Sequence, residues 1–312
     1  MRISERQIFE GASFRSQQAR TRLDEATQVA SSGLKIRTAA DDPEGAAFVA
    51  RAKANEVRAQ SFIDTLGSTV DMTQASDQAL GDAGNTLQQI YDLAVQLGTD
   101  TVAGAERLTA VVQVDNLRGL LVENLNRKFD DRTLFAGSRE DGLAFDPTSV
   151  PPGAFLGDTN LRSVETAPGV TQIVQQRVDQ TVNDVNITFV DPNLPVGSPP
   201  VQVSMFQALE RLRTAMSTND APTIRALISP LSQYVGKIAD ARAESGGQQV
   251  VLEGAVDVSK MVLGATRESR ARVEDADAVE AFSDLQFAQR SLEAALQASA
   301  KSFSLSLLDV VR

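Results

Sequence analysis

Carboxylate side chains at two places are the residues in this sequence whose types and spacing could do chemistry. Asp41 and Asp42 are adjacent, and four acidic residues fall within 274–280. Paired carboxylates can serve as a general acid and base, or can bind Mg²⁺ or Ca²⁺ through oxygen. Neither cluster has the spacing of an EF-hand loop. Each lies at the start of a predicted helix, where negative charge stabilises the N-terminus, so Asp41, Asp42 and Pro43 are predicted to form a helix-capping turn.

The composition excludes several kinds of active site. The chain of 312 residues contains no Cys, no His and no Trp. This rules out a zinc site of the usual kind, a thiolate nucleophile, a cysteine-ligated Fe–S cluster and a Ser-His-Asp triad. Phosphate-binding glycine motifs are absent from the sequence as well. We expect no catalytic residue, no metal site and no cofactor, and therefore expect that the protein is not an enzyme. The alternative is a carboxylate-based enzyme, which would need paired acidic side chains in a cleft.

The charge of the chain is distributed unevenly. Its formal net charge is -11, which argues against nucleic-acid binding because such binders present a basic surface. Residues 1–60 and 270–312 are together neutral, so the whole excess lies within 61–269. The first residues have no signal-peptide core and no apolar run is long enough to span a membrane. We expect no membrane insertion and no cleaved signal.

Apolar spacing predicts that helices must position the two acidic clusters. Steps of three, four and seven residues recur in the first and last thirds of the chain, and Gly33 is well placed to end the first helix. Pro230 is predicted to kink a later helix. The predicted helices cover residues 4–30, 43–97, 104–130, 204–216, 221–268 and 274–307.

The middle of the chain has a different character. Residues 133–203 hold eight of the 11 prolines. Two stretches, 172–178 and 182–190, are rich in β-branched residues in rough alternation and predict strands. The predicted fold class is therefore mainly α with a small β-rich insertion, in which long antiparallel helices from both chain ends form coiled-coil or bundle layers.

The chain ends carry apolar stripes that indicate association. Six large apolar residues lie among the last ten, although free ends are normally polar. From periodicity alone two possibilities stay open, since the ends could associate between chains or pack within one monomer. The predicted assembly interface consists of Ile8, Ala12, Ala19, Leu23, Ala26, Phe282, Leu285, Leu292, Leu296, Phe303, Leu305, Leu307 and Leu308.

Two signatures at opposite ends are similar to those of the bacterial flagellin superfamily. Residues 30–47 read ASSGLKIRTAADDPEGAA and resemble its SSG-x-[KR]-I-x-x-A-x-DDP signature. Residues 269–277 read SRARVEDAD and resemble the entry to its last helix. The resemblance covers roughly 1–140 and 204–312. Within the superfamily the chain is most similar to the branch of flagellar hook-associated protein 3, through MRIS at 1–4, LFAG at 134–137, FLGD at 155–158, RSVE at 162–165, PGV at 168–170 and MFQAL at 205–209.

This resemblance implies an architecture. Residues 1–38 and 274–312 would form a terminal coiled-coil domain lining an inner tube. Residues 39–132 and 204–273 would form a helical bundle domain. Residues 133–203 would form an outward-facing β-rich module, in which Pro192–Pro200 departs from the branch as an inserted loop.

The resemblance also implies a function. The chain would be a structural adapter of the bacterial flagellum that joins hook to filament and templates flagellin assembly through its terminal helices. Its partners would be further copies in a ring or tube, hook-associated protein 1 on the hook side, flagellin on the filament side and an export chaperone for the C-terminal arm. It would be extracellular, exported without a cleaved signal peptide. A filament flagellin is the first alternative, and a soluble coiled-coil signalling module is another.

Overall fold

The computed structural model is mainly helical, with short antiparallel strand pairs in mid-chain, and helices from both ends pack together. The predicted fold class is therefore confirmed. The structure describes residues 2–139, 142–149, 153–167, 169–184 and 186–310. Within these ranges, side chains are described at Gln7 and from residue 10 to residue 301. The helices are α1 (Arg2–Ser32), α2 (Pro43–Leu97), α3 (Gly104–Leu125), α4 (Val178–Val182), α5 (Met205–Ser217), α6 (Ala221–Glu274) and α7 (Ala278–Val310).

The chain divides into two compact units. One unit comprises Met1–Ser61 and Lys260–Arg312, and the other comprises Phe62–Ser259. Most of the large buried core lies in the second unit, where α2, α3, α5 and α6 contribute fully buried residues such as Leu87, Leu121 and Leu209. The three-part division into coiled coil, bundle and β module stays a prediction.

Helix α3 ends five residues earlier than predicted, because local side-chain and turn chemistry stops it. Asn126 follows the last helical residue, and its side chain donates to the carbonyl of Phe145 and accepts from the amide of Phe145 at 2.8 Å each. Asp130 and Asp131 then adopt φ of 49° and 62°. Two positive-φ residues form the tight turn that a two-residue β-hairpin favours, so the end of the predicted helix is a hairpin instead.

In the part of the chain that the structure describes, the mid-chain strands form four separate antiparallel pairs. Each pair is two-stranded, and most strands are two residues long. Such short pairs are not stable alone and depend on packing against helices. The strands are β1 (Lys128–Phe129) with β2 (Arg132–Thr133), β3 (Phe145–Asp146) with β4 (Ala154–Phe155), β5 (Ser163–Ala167) with β6 (Val170–Ile173) and β7 (Thr188–Phe189) with β8 (Val201–Gln202).

The two predicted strands in this region were only partly right. β6 ends at Ile173 and β7 covers only Thr188–Phe189, while the last residue of the first predicted strand and the first residue of the second belong to the helical turn Val178–Val182. Val178 and Val182 are both buried, at a spacing of four that suits one face of a helical turn. Between β6 and this turn, Gln175 is buried and its side-chain amide donates to the carbonyls of Leu134 and Gly137, so contacts distant in sequence hold this residue.

Gly153 should be intolerant of a side chain. It adopts φ of +106°, and a Cβ there would overlap the ring of Phe206, which is buried against Phe145. We expect Gly153→Ala to lower the free energy of unfolding by about 2 to 4 kcal/mol, because strain and overpacking add. The control is Gly169→Ala, since Gly169 has φ of +78° but open space around it. Chemical denaturation measures both, and equal losses would contradict the overlap.

Candidate assembly interface

Helices α1 and α7 form an antiparallel pair within the first unit. An isolated antiparallel bridge joins Leu34 to Asp275, directly after α1 and before α7. The amide of Ala276 donates to the carbonyl of Gly33 at 2.9 Å. From this crossing the two helices run side by side and pack against each other.

The buried positions of this pair follow a heptad repeat. Alternating steps of four and three residues separate the buried or half-buried positions on both helices. Such a repeat is the seam of a coiled coil. The seam comprises Ala12, Ser16, Ala19, Leu23, Ala26 and Ala30 on α1, and Ala281, Leu285, Ala288, Leu292, Ala295 and Ser299 on α7.

This seam is made mostly of small residues. Nine of its twelve residues are Ala or Ser, and the most buried are Ala19, Ala288 and Ala281 at 5%, 6% and 7% exposure. Small residues allow close approach of the helices but bury little apolar area, and burial contributes only about 25 cal/mol per Å². The coil therefore gains limited stability from its own seam, and further apolar contacts would add to it.

The structure separates the predicted interface residues into two groups. Ala12, Ala19, Leu23, Ala26, Leu285 and Leu292 lie in the seam, where they hold α1 against α7. Phe282 and Leu296 lie outside it and are exposed. The side chains of Ile8, Phe303, Leu305, Leu307 and Leu308 lie outside the described residues.

Large apolar side chains point away from the seam. Phe14 is 68% exposed and lies two residues from both Ala12 and Ser16, hence on the opposite face of α1. On α7, Phe282 and Phe287 are 56% and 73% exposed. Exposed aromatic groups of this kind are typical of interaction surfaces. We call Phe14, Phe282 and Phe287 together the outer aromatic face, meaning only that each is exposed outside the seam.

Sequence reasoning missed part of this arrangement. Ala281 and Ala288 are seam residues, and their signal was the heptad spacing of alanines, which the larger residues Phe282 and Leu296 of the predicted stripe obscured. Phe14 and Phe287 were also missed, because an exposed aromatic residue fits no buried stripe.

The turn between α1 and α2 is organised by its two carboxylates. Asp42 Oδ1 accepts from the amides of Glu44 and Gly45 at 3.1 and 3.0 Å, and α2 begins at Pro43. Asp42 therefore caps α2. Asp41 Oδ2 instead accepts from the amides of Thr38 and Arg37, and these hydrogen bonds lower the pKa of Asp41. Both carboxylates are thus used by the backbone.

The second acidic cluster divides between two helices. Asp277 Oδ1 accepts from the amides of Val279 and Glu280, so it caps α7 as the acidic spacing predicted. Glu274 does not. It is the last residue of α6, its side chain is 3% exposed, and it binds Lys53 and Arg270. The expectation that it charges the start of the last helix was wrong.

The described residues contain neither a metal-binding cluster nor a membrane-spanning helix. Among the residues that the structure describes, no group of three acidic side chains is arranged to hold a metal ion. Within the same residues no helix is long and apolar enough to cross a membrane.

The sequence matches a known family and known proteins. Residues 7–140 match the family model of the bacterial flagellin N-terminal helical region. Polar flagellin C of Vibrio parahaemolyticus serotype O3:K6 (strain RIMD 2210633) is 27% identical over 185 residues, which cover 55% of this chain and 47% of that protein. Flagellin of Salmonella choleraesuis (strain SC-B67) is 26% identical over 185 residues, covering 57% and 35%. The chain thus spans about half, or less, of the length of these relatives.

Solved structures share the fold. A putative flagellar hook-associated protein from Vibrio parahaemolyticus aligns with a TM-score of 0.65 at 12% identity, covering 75% of this chain and 100% of that one. Flagellar hook-associated protein-3 from Legionella pneumophila aligns with a TM-score of 0.60 at 13% identity, covering 72% and 98%. The resemblance predicted from the sequence is therefore confirmed: residues 7–140 match the model of the bacterial flagellin N-terminal helical region, and the chain has the fold of flagellar hook-associated proteins.

Proposed function

We propose that this protein is a structural component of the bacterial flagellum and, within it, a junction subunit that joins hook to filament and templates flagellin assembly. The observation that carries the proposal is the terminal α1–α7 coil with its outer aromatic face. A coil of small residues that leaves three phenylalanines exposed is suited to packing against neighbouring subunits. The family match and the fold support a structural role and not an enzymatic one.

The fold favours a junction subunit over the filament flagellin itself. The matched hook-associated structures are covered almost completely, at 98% and 100% of their length. The matched flagellins are covered only to 47% and 35%. A flagellin that forms the filament is the second candidate, because the sequence relatives carry that name.

We propose the following surroundings for the junction subunit. Further copies would form a ring or tube, with hook-associated protein 1 on the hook side and flagellin on the filament side. An export chaperone would bind the C-terminal arm before export without a cleaved signal peptide, and the assembled protein would be extracellular. A heterologous contact between identical subunits closes into a ring when its rotation permits, which is the geometry that a tubular junction needs.

A strain that lacks the protein tests this function. The junction role predicts cells with hooks but no filaments and with unassembled flagellin subunits in the medium. A filament flagellin predicts bare hooks without flagellin in the medium. Filaments that remain attached to the deletion strain would contradict both roles.

The outer aromatic face should matter for assembly and not for the fold of the monomer. We expect Phe287→Ser to leave the free energy of unfolding within about 0.5 kcal/mol, because the side chain is 73% exposed. We expect the same variant to reduce filaments per cell about tenfold or more, since buried aromatic anchors carry much interface energy. Electron microscopy counts the filaments. Gln289→Ser, at another exposed position of α7, is the control, and an equal effect there would refute the role of Phe287.

A further inference from the structure

We propose that Glu274 is a positioning residue that fixes the α1–α7 coil to the first turns of α2 and the last turns of α6. The inference deepens the proposed function, because this coil is the element proposed to assemble. Its test uses the purified full chain alone. The two proposals can therefore fail separately.

The main chain of Glu274 holds the segment that follows α1. Its carbonyl accepts from the amides of Lys35 and Ile36 at 2.7 and 3.3 Å. Ile36 is buried, and its side chain lies over Gly45 in the first turn of α2, where a Cβ would overlap it. One carbonyl thus ties the exit of α1 to the end of α6, and Ile36 ties it to α2.

The side chain of Glu274 joins α2 to α6. Oε1 accepts from Lys53 Nζ at 2.6 Å, and Oε2 accepts from Arg270 Nη1. Arg270 Nε in turn donates to Glu56 Oε1 at 2.7 Å. Lys53 and Glu56 belong to α2, so the two helices are connected twice. Removal of one partner from such a buried ion pair leaves an uncompensated charge and is strongly destabilising.

The groups around this carboxylate determine its response to acid. From α2 it faces Lys53 and Glu56, and from α6 it faces Arg270, with Arg267 Nε 3.9 Å from Glu56. The main chain of Lys35 approaches from the turn. Protonation of Glu274 would leave three cations with one carboxylate, and their mutual repulsion would loosen the contact of α2 with α6.

The direction of the pH dependence follows from these contacts. Burial raises the pKa of Glu274, but the hydrogen bonds from Lys53 and Arg270 lower it further, so that the pKa lies below its ordinary value. A group with a lowered folded-state pKa stabilises the fold fully above its unfolded-state pKa. That contribution is lost as the pH falls through the lowered pKa. The coil should therefore be fixed at neutral pH and released only in acid.

Amide hydrogen exchange of the full chain tests the inference. We expect Glu274→Gln to lower the protection factors of the Lys35 and Ile36 amides at pH 7 at least about tenfold, as for the loss of charged hydrogen bonds. The unmodified chain should show a similar loss in acid, and Glu274→Gln should show no further pH dependence there. Amides within 62–259 should keep their protection, which confirms that the variant is folded.

Matched substitutions separate Glu274 from general charge effects. Lys53→Gln and Arg267→Gln each remove one cation from side chains that are 53% and 56% exposed, but only Lys53 binds Glu274. We expect Lys53→Gln to reproduce the loss of protection and Arg267→Gln to leave the protection unchanged. Because the Lys53 side chain is half-exposed, this variant should fold and keeps the test valid even if Glu274→Gln fails to fold. The proposal would be overturned if the Lys35 and Ile36 amides were unprotected in the unmodified chain at pH 7. It would also be overturned if Lys53→Gln and Arg267→Gln had equal effects on their protection.

Discussion

A proline in place of Leu292 is expected to abolish the α1–α7 coil and filament attachment while residues 62–259 stay folded. Leu292 lies inside α7 and is one of three leucines in a seam otherwise made of Ala and Ser. Proline removes one backbone hydrogen bond and clashes with the preceding turn, at a cost of about 3 kcal/mol or more. A seam that buries so little apolar area cannot offset that cost.

Two measurements check this expectation. Hydrogen exchange should show lost protection along α1 and α7 and unchanged protection within 62–259. Cells that carry Leu292→Pro should have no attached filaments. Leu292→Ala is the graded control, because it keeps the helix and removes only a half-buried side chain, so partial filament attachment is expected. Normal swimming with Leu292→Pro would contradict the role given to the coil.

Loss of the Arg107 side chain is expected to destabilise the second unit strongly. Arg107 is 3% exposed, and Nε donates to the carbonyl of Leu97 at 2.9 Å, while Nη2 donates to the carbonyl of Thr99 at 2.6 Å. Its Nη1 donates to Asn219 Oδ1 at 2.5 Å. The guanidinium thus donates hydrogen bonds to carbonyl groups at the C-terminal end of α2 and to a side chain in the turn between α5 and α6. We expect Arg107→Ala to lower the free energy of unfolding by about 3 to 5 kcal/mol, because three hydrogen bonds of a buried guanidinium are lost, the carbonyl of buried Leu97 loses its donor and a cavity remains.

A second arginine at the same helix end provides the control. Arg225 Nη1 donates to the carbonyl of Gly98 and to Asp100, but its side chain is 44% exposed. Exposed ion pairs contribute about 0 to 1 kcal/mol, so Arg225→Ala should cost no more than that. Urea denaturation with both variants measures the difference. Equal losses would show that burial does not decide the contribution of Arg107.

Much of the fold could be predicted from the sequence because long helices have strong local signals. The segment from Gly33 to Pro43 connects α1 to α2 as its residue types predict. Gly33 follows α1 with a positive φ, Asp42 caps α2 and Pro43 is the first residue of α2. These signals depend only on neighbouring residues. The spacing of Leu23 in the first helix, and of Leu285 and Leu292 in the last, likewise marked positions that lie in the coil seam.

The remaining features depend on contacts between residues far apart in sequence. Glu274 belongs to an acidic cluster and looks like a helix-starting charge, but its partner Lys53 lies 221 residues away. The turn at 178–182 has β-branched residues, yet burial of both its ends selects helix. Phe14 and Phe287 of the outer aromatic face belong to no periodic stripe, because their exposure becomes visible only once the seam of the two helices is known.

The position of the protein along the flagellum tests the central claim most directly. Gold-labelled antibodies against residues 153–203, viewed on intact flagella by electron microscopy, report this position. The junction role predicts a single band where the hook meets the filament. Label along the whole filament would contradict it and would identify the protein as a flagellin, and absence of label from the flagellum would contradict any flagellar role.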